Sequence, residues 1–426
     1  MKVSLVTNFL SLSGAEALTK FATFVAFAYL ARLFGPAGFG YIEWAGTVLM
    51  CSSLIVDQGF SSYGAREIAK SPERTAQLVS AVVTARILLA VIGYIAIAVF
   101  ALLVVRESTI TGLLLVYGLS LLPMPFLLQW VFQGHDRMHL VGIAQIIRQS
   151  MFVGVVFLFV RGVDNLIWVG IAEVIGVAFA AGFTLIVYRR YFSRYGRTRW
   201  TLSRELFRDG VPIGLSQMFW VIKMFGATFI VGLIATAEDT GYFAGAMRIY
   251  IALHTFVYLY YFNMLPSMSR AWKQGPEMLA GLIRRSLKIV ALASLIVGTG
   301  WVMAAPFIMT SAYGQSFNNG AAALQWLAGA CIAAALSGHF RFGLIAAGFQ
   351  KNEMIATAIG SLVALGLIPV GYFNMGTSGA AAALCFAEIV VLIFSWLFFR
   401  RVLSSQALNS SQGAEESFES LRRVAI

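Results

Sequence analysis

The sequence predicts an all-α polytopic membrane protein with about twelve transmembrane helices in two six-helix lobes. Three observations carry that prediction. Hydrophobic residues make up 59% of the 426 residues, charged residues only 12%, and the mean hydropathy is +0.80. A soluble domain carries about 25% charged residues, so a soluble globular protein is excluded. The apolar residues gather into long runs separated by short turns, and Lys and Arg fall almost entirely on alternate turns.

The runs are long enough to cross a hydrocarbon core, which takes about 20 residues of helix. They cover 7–34, 39–64, 77–105, 109–133, 139–160, 164–188, 210–235, 240–265, 285–310, 318–347, 353–373 and 377–400. The first is read as a span and not as a cleavable signal, because it reaches Phe34 without a small-residue exit and then turns at Gly35-Pro36. Pro212, Pro266 and Pro369 lie near span ends, where a missing backbone donor costs least.

Orientation follows from the basic residues of the short loops. With a cytoplasmic N-terminus, 22 Lys and Arg lie in cytoplasmic segments and three, Arg32, Arg106 and Arg161, on the other side. Both ends are therefore expected in the cytoplasm. The net charge of +12 then faces anionic lipid headgroups and calls for no nucleic acid.

The basic stretch 191–209 separates an N-terminal lobe (1–190, spans one to six) from a C-terminal lobe (210–402, spans seven to twelve), and 403–426 reads as a polar, unstructured tail. The halves resemble each other weakly. Gly40-Tyr41 matches Gly241-Tyr242, and Ile171-Ala172-Glu173-Val174-Ile175 matches Phe386-Ala387-Glu388-Ile389-Val390. Six spans per half make the repeat parallel, which places a substrate site between halves near the midplane.

Ionisable residues inside the spans are the candidate functional groups. The cations are Lys20, Arg86, Arg148, Lys223, Arg248 and Arg341; the acids are Glu16, Glu43, Asp57, Glu173 and Glu388. Each mid-bilayer charge costs about 2.5–3.5 kcal/mol on insertion scales, so most must face the protein interior or a wet cavity. Lys20 and Lys223 fall at similar depths in the first helix of each half and suit an anion held between them. Glu16 shares a helix face with Lys20. Glu16, Asp57, Glu173 and Glu388 are candidates for helix pairing or for coupling to an ion, with Glu173 and Glu388 expected to lock helices to arginines.

Other chemistry finds no support. Cys51, Cys331 and Cys385 lie in apolar runs without metal or disulfide spacing. His135, His139, His254 and His339 form no HExxH motif. No GxxxxGK[ST] loop is present, and no loop is large enough for a catalytic domain. No cofactor, metal or enzymatic activity is expected.

Five segments stand out together: Ala31-Arg32-Leu33-Phe34-Gly35-Pro36-Ala37-Gly38-Phe39-Gly40-Tyr41, Asp57-Gln58-Gly59-Phe60 with Ala65-Arg66-Glu67, Trp130-Val131-Phe132-Gln133-Gly134, Gly241 to Ile249, and Gly379-Ala380-Ala381-Ala382 with Glu388. In this order they resemble polysaccharide repeat-unit flippases, the Wzx-type O-antigen and exopolysaccharide exporters of the multidrug/oligosaccharidyl-lipid/polysaccharide exporter superfamily. The resemblance implies a V-shaped pair of lobes around a central cavity in the bacterial inner membrane. It implies alternating access that carries undecaprenyl-pyrophosphate-linked oligosaccharide to the outer leaflet, beside a polymerase and chain-length proteins. Lys20, Lys223 and Arg248 would then line the cavity. Two alternatives stay open: a cation-coupled multidrug exporter of the same fold, and a non-transporting scaffold subunit of a polysaccharide assembly complex.

Overall fold

The computed structural model describes residues 2–105, 107–192 and 203–424, with side chains described except at 2–18, 212, 213, 215–220, 223 and 406–424. Every regular element among the described residues is helical. In chain order they are α1 (Lys2–Asp57), α2 (Phe60–Lys70), α3 (Thr75–Leu103), α4 (Ser108–Leu119), α5 (Gln129–Gly134), α6 (Met138–Phe159), α7 (Ile167–Tyr191), α8 (Arg204–Ile234), α9 (Ala237–Gln274), α10 (Pro276–Tyr313), α11 (Ala321–Ala346) and α12 (Gln350–Val424).

The expected spans map onto these helices in order, with three adjustments. α1 and α12 each carry two spans, broken at Gly35 (φ 66°) and Gly376 (φ 62°), where only glycine takes the left-handed backbone without steric cost. The fourth span is divided into α4, a 3-10 turn at Met124–Phe126, and α5, because Pro123 and Pro125 remove two helical donors. Among the described residues, eight helices are long and apolar enough to cross a membrane by length and composition. The segment beyond Leu403 also differs from expectation: the helix runs on to Val424. Its sequence lacks proline and places Glu419 four residues before Arg423, a spacing that supports helix.

The chain forms two compact units, one of residues 1–241 with 312–316, the other of residues 242–311 with 317–426. The first has two apolar cores. One joins Leu30, Ile42, Leu113, Phe152 and Val169; the other joins Phe60, Trp130, Phe132 and Tyr188. A core of the second unit contains Tyr261, Met268, Ile283, Phe342 and Phe399.

α8, which the sequence assigns to the C-terminal lobe, packs within the first unit. The Trp44 indole donates to the Phe229 carbonyl at 3.1 Å. The Phe60 and Phe207 rings meet edge to face at 5.3 Å. The Tyr63 hydroxyl donates to Glu205 at 3.0 Å, and Arg74 pairs with the same carboxylate at 3.2 Å. Chain order placed α8 in the second half; these contacts along its length hold it to α1, α2 and the turn before α3. On α2, the Lys70 ammonium bonded to Glu67 holds that carboxyl below the usual range, aided by Arg66.

Candidate functional site

Arg86, Arg148 and Arg341 each pair with a carboxylate. Arg86 on α3 is 6% exposed. It bonds to Asp57 at the end of α1 and to Ser61 on α2, and lies 3.5 Å from the Leu127 carbonyl. Local backbone makes this possible: Gln58 and Gly59 take positive φ, of 45° and 73°, which ends α1 and starts α2 beside it. Asp57 also accepts from the Ser61 amide at 3.3 Å. One carboxylate thus closes the helix break and balances a buried guanidinium.

Arg148 on α6 pairs with Glu173 on α7 at 2.5 Å. Arg341 on α11 donates from Nε and Nη2 to Glu353 of α12, at 2.8 and 2.6 Å, and the Thr357 hydroxyl joins the same oxygen at 2.9 Å. Glu353, the first residue of the eleventh expected span, is not among the acids singled out from the sequence.

Glu388 on α12 is 4% exposed and accepts a hydrogen bond from the Tyr250 hydroxyl of α9, with Cys331 and Cys385 close by. Lys20 is exposed on α1, beside Thr19 and Thr23, and Arg248 is half-buried on α9. The side chains of Glu16 and Lys223 lie outside the described residues. Glu43 is half-buried on the second span of α1.

A further polar cluster was not legible in the sequence. His339 on α11 is fully buried. Its Nδ1 lies 2.6 Å from the Tyr261 hydroxyl and its Nε2 2.8 Å from the Ser286 hydroxyl, which in turn meets the Tyr260 hydroxyl at 2.7 Å. Tyr261 also donates to the Ala335 carbonyl, so the simplest donor order has His339 neutral with its proton on Nδ1. Tyr261 and His339 alone are 78 positions apart, and no local spacing signals the cluster.

Chemically, a paired arginine must give up its carboxylate before it can hold an anion. Arg86, Arg148 and Arg341 therefore serve helix packing first. Lys20 and Arg248 are the further cations on the described helices, one exposed and one half-buried. No group of His, Cys, Asp and Glu suited to a metal occurs among the described residues.

The polysaccharide biosynthesis protein family profile matches residues 5–272. The chain belongs to this family. Across almost its full length it resembles the "Putative O-antigen transporter" of Escherichia coli (strain K12), with 22% identity over 94% of this chain and 97% of that one. Its fold is that of solved transporters of the MOP superfamily. An inward-facing multidrug resistance MATE family transporter superposes with a TM-score of 0.74 at 16% identity, over 92% of this chain and 96% of that one. The lipid II flippase MurJ, in an inward closed conformation, gives 0.73 at 15% identity, over 94% and 90%. The polysaccharide biosynthesis family member described here is thus an all-α, multi-span membrane protein of transporter fold.

Proposed function

We propose that this protein is a flippase, not an enzyme, and that it moves undecaprenyl-pyrophosphate-linked oligosaccharide repeat units from the cytoplasmic to the outer leaflet by alternating access. The observation that carries this reading is family membership, together with end-to-end similarity to an O-antigen transporter. The charge pattern supports it. Lys20 and Arg248 stand exposed or half-exposed on apolar helices, and each suits a phosphate as a charge-assisted hydrogen-bond donor. The protein resides in the bacterial inner membrane with both termini cytoplasmic and works beside a polymerase and chain-length proteins.

The MATE-like fold favours a second reading, cation-coupled drug export. Among the described residues the intramembrane carboxylates Asp57, Glu173 and Glu388 each hold a polar partner, which suits helix packing better than capture of a cationic drug. The test is complementation. Cells lacking their own repeat-unit flippase should regain surface polysaccharide when they express this chain. Restored drug resistance without surface polysaccharide would favour the second reading.

A further inference from the structure

The first span of α1 and helix α6 run parallel in the first unit, and three contacts fix their register. Phe27 stacks on Phe152 with ring centroids 5.7 Å apart. Further along both helices the Tyr29 ring meets Phe157 at 5.0 Å, and its hydroxyl donates to the Val160 carbonyl at 2.7 Å.

Toward the N-terminal ends of both helices these facing stripes turn polar. On α1 the stripe runs back from Phe27 to Thr23 and Lys20, four and seven residues earlier. On α6 it runs back from Phe152 to Gln149 and Gln145, three and seven residues earlier. Such spacings keep each set on one helix face. Seven residues of helix rise about 10 Å, so Gln145 stands level with Lys20, and Gln149 level with Thr23.

Both glutamines are half-buried. Gln145 Oε1 and Gln149 Nε2 are shut off from solvent and have no hydrogen-bond partner among the described residues. Neighbouring polar groups are committed elsewhere: Thr23 donates to the Thr19 carbonyl at 2.6 Å, and Arg148 pairs with Glu173. Shut-away polar atoms without partners are few in folded proteins and mark places where a further group bonds. Here one atom accepts and the other donates, on successive turns.

We infer that Gln145 and Gln149 bind hydroxyl groups of the sugar that adjoins the pyrophosphate, beside the phosphate contact proposed for Lys20. The inference deepens the flippase reading and rests on it. An ionised phosphate only accepts hydrogen bonds, so it suits an ammonium and repels a carboxamide oxygen. A sugar hydroxyl both donates and accepts, which matches the two ends of a carboxamide. The shared level of Gln145 and Lys20 places such a sugar next to a phosphate held by the lysine.

Native mass spectrometry of the full-length protein in detergent tests this with two probes, undecaprenyl pyrophosphate and the same lipid bearing an oligosaccharide. Wild type should retain the sugar-bearing lipid about tenfold better, the effect of about two net hydrogen bonds. Gln145→Met with Gln149→Met keeps side-chain length. That variant should lose the preference, retain undecaprenyl pyrophosphate as wild type does, and unfold at no lower temperature. Ile143→Met, exposed on α6 and off the stripe, should match wild type throughout. A methionine pair that keeps the preference, loses both lipids equally or unfolds at a lower temperature would overturn the inference. Wild type that retains neither lipid contradicts the flippase reading as well, whereas a wild-type preference shared by the methionine pair removes the glutamines alone.

Discussion

Gly40 lies so close to Ala237 that a methyl group on it would sit 2.0 Å from the Ala237 carbonyl oxygen, and Gly241 repeats the contact on the Pro36 carbonyl at 1.9 Å. Each glycine faces the residue four positions before the other. The same 201-residue offset that relates the two Gly-Tyr turns in the sequence therefore relates the two halves of one backbone crossing. Such closeness leaves no room for any side chain at either position.

Gly40→Ala and Gly241→Ala should each destabilise the protein by about 1–3 kcal/mol, the range for overpacking. Gly46, which has open space around its Cα, is the control, and Gly46→Ala should be neutral. Thermal unfolding in detergent separates the three. A Gly40→Ala variant as stable as Gly46→Ala would refute the crossing.

Asp57 and Arg86 make a second prediction. Removing one member of a buried pair strands the other and costs about 3–5 kcal/mol. Asp57→Ala should thus deplete the protein in membranes, while Asp57→Leu with Arg86→Leu should recover much of the loss. Abundance measured by immunoblot at matched expression decides it.

The pair also shows what a sequence reveals. Composition and run length made the spans legible, and the Gly40-Tyr41 and Gly241-Tyr242 turns were visible because the repeat is local. Asp57 and Arg86 were both noticed as intramembrane charges, yet their pairing depends on the Gln58-Gly59 turn, which brings an apparently peripheral acid under α3. Glu353 stands at the very edge of the eleventh expected span, and only packing of α12 on α11 brings it to Arg341. Tyr260, Tyr261, Ser286 and His339 come from three helices, and only packing joins them. The grouping of α8 with the first unit follows from contacts, not chain order.

Glu173 and Glu388 should behave differently. Glu173→Gln removes the ionic partner of Arg148 in mid-span, where an uncompensated charge costs about 2.5–3.5 kcal/mol, so abundance should fall. Glu388→Gln keeps an oxygen that accepts from Tyr250, so abundance should hold. If Glu388 couples transport to an ion, Glu388→Gln flux should lose its response to an imposed proton or sodium gradient. Equal responses in wild type and variant at equal protein levels would remove Glu388 from coupling.

Topology gives a fourth prediction. Reporters active only after export, fused after Arg190 or Arg401, should stay silent, because the basic loops hold these positions in the cytoplasm. Activity from either fusion would reverse the orientation.

The central claim is lipid-linked oligosaccharide transport, and reconstituted vesicles test it most directly. Undecaprenyl-pyrophosphate-linked oligosaccharide placed in one leaflet should become accessible to a membrane-impermeant glycosidase in the other when wild-type protein is present. The variant carrying Lys20→Ala, Lys223→Ala and Arg248→Ala, folded and present at equal levels, should move it at least about tenfold more slowly, the loss expected when charge-assisted contacts to a phosphate are removed. Transfer no faster than in protein-free vesicles, or unchanged transfer by the triple variant, would contradict the account.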